Sequence, residues 1–371
     1  MKVGFVSLGC SKNLVDTEKT IDIFKKHGYD IVNNPKEAEI IVINTCGFIE
    51  TAKEEAINTI LEMAEYKKEN CKYIIAMGCL VQRYRDELEK SLPEVDSFIK
   101  YDEYDTIWSQ IDNLINKDII HEKEEDIPFN KLQDRVITTG DNFAYVKIAD
   151  GCNNCCTFCA IPYIRGRFES RPMEDIIDEV NKLAKSGYKE IILIAQDTTK
   201  YGIDIYGKPK LAELLKKLCK IDGIKWIRFL YAYPETIDDK LIKVVKKNEK
   251  ICKYFDIPIQ HISDSVLKRM NRKSNSESIE LLIKKLREKI PNVIIRTTVM
   301  VGFPGETQED FEKLCNFVES AKFDKLGAFA YSKEEGTPAA KLKEQVHPMT
   351  KKARYNKIME IQQKVSEENL N

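Results

Sequence analysis

The chain has 371 residues, of which 43% are hydrophobic and 32% charged, and its formal net charge at pH 7 is −1. This length predicts two or three domains with a sizeable core, and the near-zero charge excludes a global basic field for capturing nucleic acid. No apolar stretch approaches the ~18 residues needed to span a bilayer. With no secretory segment at Met1, the 11 cysteines predict a cytoplasmic protein in which clustered cysteines bind metal rather than form disulfides.

Three similar apolar runs occupy the predicted first domain, residues 1–120, and each run ends beside a Gly-Cys or Cys-Gly pair, at Cys10, Cys46 and Cys79. Helical patterns at 14–27 and 51–67 separate the runs, so the order βαβαβ predicts a doubly wound parallel sheet. Ligands of such sheets bind at the carboxyl ends of the strands. We therefore expect the three cysteines to come together as ligands of an iron–sulfur cluster; three buried structural cysteines are the alternative.

The rest of the chain is predicted as a linker, a partial barrel and a tail. A helix near 103–116 closes the first domain, and the polar segment 121–137 is the linker. Strands are predicted at 143–149, 190–196, 226–233, 254–260, 293–301 and 325–331, with helices at about 173–187, 209–220, 237–247, 276–289 and 308–321. Six βα units over 138–345 predict a parallel (β/α)6 barrel that is three-quarters closed. Residues 346–371 are predicted as a C-terminal helix.

A second group of cysteines, Cys152, Cys156 and Cys159, follows the first predicted barrel strand with C-x-x-x-C-x-x-C spacing. Three thiolates can hold an iron–sulfur cube by three of its four irons, and the open iron then resembles the open position of a catalytic metal site. Cys155 makes the string also fit a zinc site, although adjacent residues cannot easily point at the same metal. Phe158 is a candidate for packing beside an adenine, with a core position as the alternative.

These residues resemble the methylthiotransferases, a family of radical S-adenosylmethionine enzymes, along essentially the whole chain. The matching segments are 7–13 with Asp16, 44–49, 77–80, 159–162 and 165–167. The resemblance implies two 4Fe–4S clusters: one on Cys152, Cys156 and Cys159, whose open iron binds S-adenosylmethionine, and an auxiliary one on the three N-terminal cysteines, which presents sulfur. It also implies a reductant such as flavodoxin or ferredoxin. The resemblance also implies that the C-terminal helix leads to a small β-barrel (TRAM) domain, which would start at about Asn371 and which we expect to be absent.

Within the family, four segments are similar to the RimO type, which modifies the β-carbon of an aspartate in ribosomal protein S twelve of the small subunit. They are 195–202, 231–235, 256–261 with 270–272, and 329–337. The alternative branch, MiaB-like, modifies an adenosine of transfer RNA and usually has Gly-Gln-Asn where this chain has Ala-Gln-Asp at 195–197. A non-catalytic iron–sulfur protein is a further alternative. The resemblance to the RimO type implies a protein substrate, no nucleic-acid substrate and no membrane.

Five residues at the barrel rim are predicted to contact S-adenosylmethionine. Gln196 and Asp197 end the second strand, where they would accept hydrogen bonds from the methionyl ammonium, with a strand-end cap as the alternative. Gln260 and Arg296 are candidates for the ribose and the carboxylate, and Phe158 for the adenine. No catalytic residue beyond the cluster ligands is predicted, because the cofactor supplies the difficult chemistry.

Overall fold

The computed structural model describes residues 1–116, 128–132 and 134–370. The chain divides into two compact units: one comprises Met1–Gly140 with Ile161–Gly166, and the other Asp141–Ala160 with Arg167–Asn371. The charge run of the predicted linker lies outside the described residues. The domain boundaries predicted from sequence, at residues 120, 137 and 345, are not tested by this division and remain predictions.

The first unit is a five-stranded parallel sheet with helices on both faces. Its elements are β1 Lys2–Ser7, α1 Ser11–Lys26, β2 Asp30–Val32, β3 Ile40–Thr45, α2 Glu50–Ala64, β4 Tyr73–Gly78, α3 Cys79–Ser91, β5 Ser97–Ile99, α4 Ile107–Ile115 and, later in the chain, α5 Ile161–Arg165. The strand order is β2-β1-β3-β4-β5, which confirms the predicted doubly wound fold. The prediction missed β2 and β5, which have three residues each, too few for a periodic pattern.

The central strand β3 shows why this sheet is covered on both sides. Every residue of β3 is buried. Ile41 and Ile43 belong to one apolar cluster, whereas Ile40 and Val42 belong to another. Because successive side chains of a strand point to opposite faces, this division places a core on each face. A continuous β-branched run is the sequence pattern that such a strand requires.

The second unit contains the six predicted barrel strands. Its elements are β6 Phe143–Lys147, β7 Ala149–Asp150, β8 Glu169–Ser170, α6 Met173–Lys185, β9 Glu190–Ile194, α7 Ile203–Tyr206, α8 Leu211–Leu218, β10 Trp226–Phe229, α9 Asp239–Lys247, β11 Tyr254–Gln260, α10 Asp264–Arg269, α11 Ser276–Lys289, β12 Ile294–Val301, α12 Gln308–Ala321, β13 Lys325–Ala330 and α13 Pro348–Leu370. The main strands form two parallel ladders, β6-β9-β10 and β11-β12-β13.

The single six-stranded sheet of the prediction is therefore interrupted between β10 and β11. A backbone hydrogen bond from Ala232 to Asp256 of 2.8 Å and an isolated bridge between Ile227 and Ile251 still join the two ladders. The interruption has a local cause, because Tyr231 adopts a φ of +60° and the chain leaves the extended conformation there. The α/β class and the parallel pairing of the main strands agree with the prediction.

Helix α13 packs within this second unit. It buries one face, with Arg354, Ile358, Gln362 and Val365 all less than 9% exposed, at the spacing of successive helical turns. Gln362 donates to the carbonyl of Phe323 over 2.9 Å. Among the helices that the structure describes, none is both long and apolar enough to cross a membrane.

Candidate functional site

The three N-terminal cysteines lie at the carboxyl edge of the first sheet. Cys10 follows β1, Cys46 follows β3 and Cys79 begins α3 directly after β4. The strand order reverses between β1 and β3, and such a switch point is where doubly wound folds bind ligands. The loops touch: a Cβ atom built on Gly9 would lie 3.0 Å from Sγ of Cys46. The structure thus brings together the three cysteines that the sequence predicted to meet.

Gly78 shows how closely the third loop packs on the second. Its φ of 103° and ψ of −159° fall in a region that is essentially restricted to glycine. A Cβ there would lie 2.3 Å from Oδ1 of Asn44 and 2.6 Å from the carbonyl of Thr45. Glycine is therefore required beside Cys79, because any side chain would push this loop away from the loop of Cys46.

Asn13 connects the loops of all three cysteines. Its side-chain amide donates to the carbonyl of Leu8 over 3.1 Å and to that of Thr45 over 3.0 Å. Its Oδ1 accepts a bond from Sγ of Cys79 over 3.4 Å. Asn44 in turn donates to the backbone carbonyl of Asn13 over 2.9 Å. Asn13 is fully buried. Its hydrogen bonds therefore hold the three loops together inside the protein, at the carboxyl edge of the sheet.

A buried arginine completes this first site. Arg165 of α5 forms an ion pair with Asp16 over 2.6 Å, and both side chains are at most 2% exposed. The guanidinium also contacts Oδ1 of Asn13, reaches Sγ of Cys79 over 3.7 Å and stacks on the ring of Tyr101. A cation beside a thiolate stabilises the charged form. The sequence assigned no role to Arg165, although it belongs to a segment that resembles the family.

Burial controls the protonation of these thiols. It raises the pKa of Cys79 to about 11, while the charge of Arg165 opposes that shift. Burial also raises the pKa of Cys46. Metal ligands must be deprotonated, so these two cysteines remain thiols at neutral pH until a metal displaces their protons.

The spacing of the side chains bears on which metal group fits. In the described part of the chain, no three His, Cys, Asp or Glu side chains are close enough to bind a single metal ion. A zinc ion needs its sulfurs within ~2.3 Å of one point, whereas an iron–sulfur cube is larger and its ligands stand further apart. The arrangement of the described cysteines therefore does not match a site for a single zinc ion.

The second cysteine group lies in the loop that follows β7. Cys152 and Cys156 are buried, Cys159 is partly buried, and Cys155 between them is exposed with a φ of +51°. Cys155 therefore lies at a left-handed turn of the loop, with its side chain exposed. Asn271 stabilises this turn by donating to the carbonyl of Cys155 over 2.9 Å.

Two side chains contact the sulfur of Cys156. The hydroxyl of Tyr233 lies 3.5 Å from Sγ, and Nη1 of Arg272 lies 3.8 Å from it. The guanidinium carbon is 4.2 Å from the centre of the Tyr233 ring. Burial raises the pKa of Tyr233 well above its ordinary value, so its hydroxyl keeps a proton to donate. No role could be predicted for either residue from sequence, because both lie in connecting segments distant from Cys156 in the chain.

Gln196, directly after β9 and Ala195, offers a free acceptor at the rim. Its amide nitrogen donates to Asp150 over 2.8 Å, and Asp150 is itself held by Lys147 over 2.6 Å. The amide is thereby oriented, and its Oε1 is buried without a hydrogen-bond partner. Buried acceptors are normally satisfied. The orphaned oxygen is suited to a ligand that carries N–H donors, such as the ammonium of S-adenosylmethionine.

Asp197 has partners within the protein. It is fully buried, and its carboxylate accepts bonds from Asn154 over 2.9 Å and from Thr199 over 2.6 Å. Lys200 lies 3.8 Å away. Burial raises the pKa of Asp197. Because Asn154 belongs to the cysteine loop, these contacts favour a structural role, in which Asp197 fastens that loop to the end of β9.

The remaining predicted contacts fall in different environments. Gln260 is the last residue of β11 and has a φ of +70°, which places it at the predicted rim. Arg296 is the third of eight residues in β12 and pairs with Asp256 over 2.8 Å. The prediction that Arg296 lies at the carboxyl end of its strand is therefore wrong, and its charge is neutralised locally. Phe158 packs against an apolar cluster that includes Phe303, as the core alternative expected.

Backbone strain is concentrated around this second site. The described residues include six non-glycine residues with positive φ, and four of them, Cys155, Tyr231, Gln260 and Asn271, lie on the cysteine loop, beside it or at strand ends of the rim. Such conformations cost about 1–3 kcal/mol each and gather at functional sites.

Comparisons with known proteins define the class. Residues 146–318 match the Radical SAM superfamily, and residues 2–100 match a family described as "Uncharacterized protein family UPF0004". The methyltransferase TsrM from Kitasatospora setae superposes with a TM-score of 0.67 at 12% identity, over 91% of this chain and 76% of TsrM. The cobalamin-dependent S-adenosylmethionine radical enzyme OxsB superposes with a TM-score of 0.60 at 12% identity, over 98% of this chain and 56% of OxsB. These two likenesses concern the fold alone. By fold and domain content the chain is a radical S-adenosylmethionine enzyme, with an iron–sulfur cluster and S-adenosylmethionine as cofactors.

Comparison with curated relatives narrows the class. Ribosomal protein uS12 methylthiotransferase RimO of Alkaliphilus oremlandii is 63% identical over 370 residues, which are 100% of this chain and 83% of the relative. The proteins of the same name from Caldicellulosiruptor saccharolyticus and Acetivibrio thermocellus are 54% and 50% identical, over 99% and 98% of this chain and 84% and 82% of theirs. The chain belongs to the RimO family of methylthiotransferases, enzymes that transfer sulfur-containing groups.

Proposed function

We propose that this enzyme attaches a methylthio group to the β-carbon of an aspartate in ribosomal protein uS12, and that it does so in the cytoplasm. The observation that supports the proposal is the placement of two groups of three cysteines, one at the carboxyl edge of the first parallel sheet and the other in the loop that follows β6 and β7. One site alone would suit a simpler radical enzyme. Two sites allow one to activate a carbon and the other to hold the sulfur that the carbon receives.

In this proposal Cys152, Cys156 and Cys159 hold a 4Fe–4S cluster that leaves one iron open for S-adenosylmethionine. When bound, the pair supplies a radical able to take hydrogen from an unactivated carbon, which no side-chain base can do. Gln196 binds the methionyl ammonium through its free Oε1. Asp197 holds the cysteine loop in place, and Gln260 is a candidate for the ribose.

Cys10, Cys46 and Cys79 hold the second, auxiliary 4Fe–4S cluster. Asn13 fixes the three loops, so that the sulfurs keep their arrangement when the cluster is absent. A second S-adenosylmethionine supplies the methyl group, and a one-electron donor of the flavodoxin or ferredoxin type reduces the enzyme.

The number of clusters is tested by iron analysis. Two cubes predict about eight irons per chain. C152A/C156A/C159A should retain about four irons and form no deoxyadenosine, whereas C10A/C46A/C79A should retain about four and still cleave S-adenosylmethionine. The matched control C219A/C252A/C315A removes three partly buried cysteines outside both sites and should keep all eight. Unchanged iron in either site variant would contradict the corresponding cluster.

The substrate is tested by anaerobic reaction with uS12 and transfer RNA together. We expect uS12 to gain the mass of one methylthio group on an aspartate, and the transfer RNA to remain unmodified. Methylthiolated adenosine beside unmodified uS12 would instead assign the enzyme to the transfer RNA branch. The C10A/C46A/C79A variant is the control, because it should consume S-adenosylmethionine without modifying either substrate.

A further inference from the structure

The guanidinium of Arg272 is buried beside the second cysteine site without an anionic partner. Arg272 is 8% exposed. Nη2 donates to the carbonyl of Pro258 over 3.0 Å, Nη1 lies 3.8 Å from Sγ of Cys156, and Nε is buried without a hydrogen-bond partner. Within the described ranges, no carboxylate oxygen pairs with it. Glu235 on the adjoining segment is bonded to the backbone and hydroxyl of Ser274 instead.

Such an arrangement is costly unless an anion is present. Burying a charge without a partner is costly, and the ring of Tyr233 under the guanidinium offsets part of that cost. Glu235 acts on Arg272 at longer range, and the group in direct contact with the guanidinium that can carry negative charge is the sulfur of Cys156, which is a thiolate when it binds metal. The charge of Arg272 is therefore compensated once the cysteine is a ligand.

Hydrogen bonds join the cysteine loop to the segment that carries Arg272. Thr157 donates to the carbonyl of Met270 over 3.1 Å through its amide and to that of Arg269 over 2.8 Å through its hydroxyl. The amide of Arg272 donates to Leu267 over 2.9 Å. The guanidinium is thus placed by the same segment that fastens the loop, and its distance to the sulfur is built into the fold.

We propose that Arg272, with the hydroxyl of Tyr233, sets the reduction potential of the cluster on Cys152, Cys156 and Cys159, acting as a pair of positioning residues. This inference rests on the proposed function, since it requires that cluster. A one-electron donor adds one negative charge to the cluster. A buried cation and a hydroxyl donor on a ligand sulfur stabilise that added charge, so both make the cluster easier to reduce.

The test is a redox titration of the anaerobically reconstituted full chain with dithionite and mediators. The cluster is followed by the paramagnetic resonance signal that S-adenosylmethionine perturbs, which distinguishes it from other clusters. For R272Q we expect the ratio of reduced to oxidised cluster at a fixed potential to fall about tenfold, equivalent to a shift of about 59 mV toward more negative values for one electron. R272K should recover part of the shift, and Y233F should shift in the same direction by less.

R269M is the matched control, because it removes the same charge three residues away, from a side chain 40% exposed. It should leave the potential unchanged. A wild-type potential in R272Q with full iron content, or an equal shift in R269M, overturns the inference. If R272Q loses iron, R272K and Y233F decide: wild-type potentials in both overturn it. A wild-type enzyme without any signal that responds to S-adenosylmethionine overturns the proposed function as well.

Discussion

Replacement of Gly78 by alanine tests the geometry of the first site directly. The change adds one methyl group at the residue before Cys79 and leaves every proposed ligand intact. The added carbon would lie 2.3 Å from Oδ1 of Asn44 and 2.6 Å from the carbonyl of Thr45. Neither atom belongs to the end of a flexible chain, because Asn44 is anchored by its amide to Asn13 and Thr17 and the other is backbone.

Two costs add in this variant. An alanine held at the φ and ψ of Gly78 is strained by about 1–3 kcal/mol, and overpacking a tight interior typically costs about 1–3 kcal/mol more. The sum of about 2–6 kcal/mol is a large part of the 5–15 kcal/mol that stabilises a typical domain. The least costly response is for the loop of Cys79 to move away from the loop of Cys46, which would separate two of the three ligands.

Gly28 provides the matched control for this experiment. It also has a positive φ, of 80°, and lies in the same unit, but a Cβ there would meet no atom within 4 Å. G28A should therefore cost only the ~1–2 kcal/mol of a left-handed alanine. Denaturant unfolding of the metal-free proteins measures this difference. Iron analysis should show about half the iron in G78A, with cleavage of S-adenosylmethionine retained.

Equal stability and iron content in G78A and G28A would refute the packing of these loops, and with it the convergence of the cysteines. Loss of iron from G78A together with loss of S-adenosylmethionine cleavage would also count against the reasoning, since the second site should be untouched.

Three further predictions follow from single contacts. R165M removes the partner of the fully buried Asp16 and should lower the free energy of unfolding by about 3–5 kcal/mol; R165M/D16N should recover part of that loss, and no recovery would contradict the pairing. Q196A should weaken equilibrium binding of S-adenosylmethionine about tenfold or more, because a hydrogen bond to a charged group is worth about 1.5–3 kcal/mol; wild-type affinity would remove Gln196 from the cofactor site. Burial raises the pKa of Glu306 from 4.5 to about 7. Between these two pH values the folded state holds a proton that the unfolded state releases, so the free energy of unfolding should fall as pH rises from about 4.5 to 7. E306Q should reduce this fall in the metal-free protein, and an unchanged dependence on pH would contradict the prediction.

The sequence was sufficient to predict which edge of the first sheet carries Cys10, Cys46 and Cys79. Runs such as 40–45 are buried on both faces, and only a parallel sheet with helices on each side covers them, so the ends of successive runs must share an edge. The same argument located Gln196 and Gln260 at strand ends. It did not hold for Arg296, because the predicted strand 293–301 already places residue 296 nearer to its amino end than to the rim, as in β12.

The side chains that surround the sulfurs could not be predicted from sequence. Arg165 and Asn13 are 152 residues apart, and Arg272 and Cys156 are 116 residues apart. Each contact depends on the packing angle of a short helix or loop against the sheet. Periodicity reports which face of an element is buried, but it does not report which polar groups meet there.

The two sites differ in how a buried arginine is compensated. At the first site Asp16 neutralises Arg165, so the pair contributes a dipole but no net charge beside Cys79. At the second site no carboxylate forms an ion pair with Arg272 among the described residues, although Glu235 acts on it at longer range, and the guanidinium lies directly beside Cys156. Two clusters with the same three-thiolate ligation would then differ in the free energy of accepting an electron, and the second would be reduced first. This order suits the proposed roles, because the electron is needed where S-adenosylmethionine is cleaved, whereas a site that holds sulfur for transfer is better left oxidised.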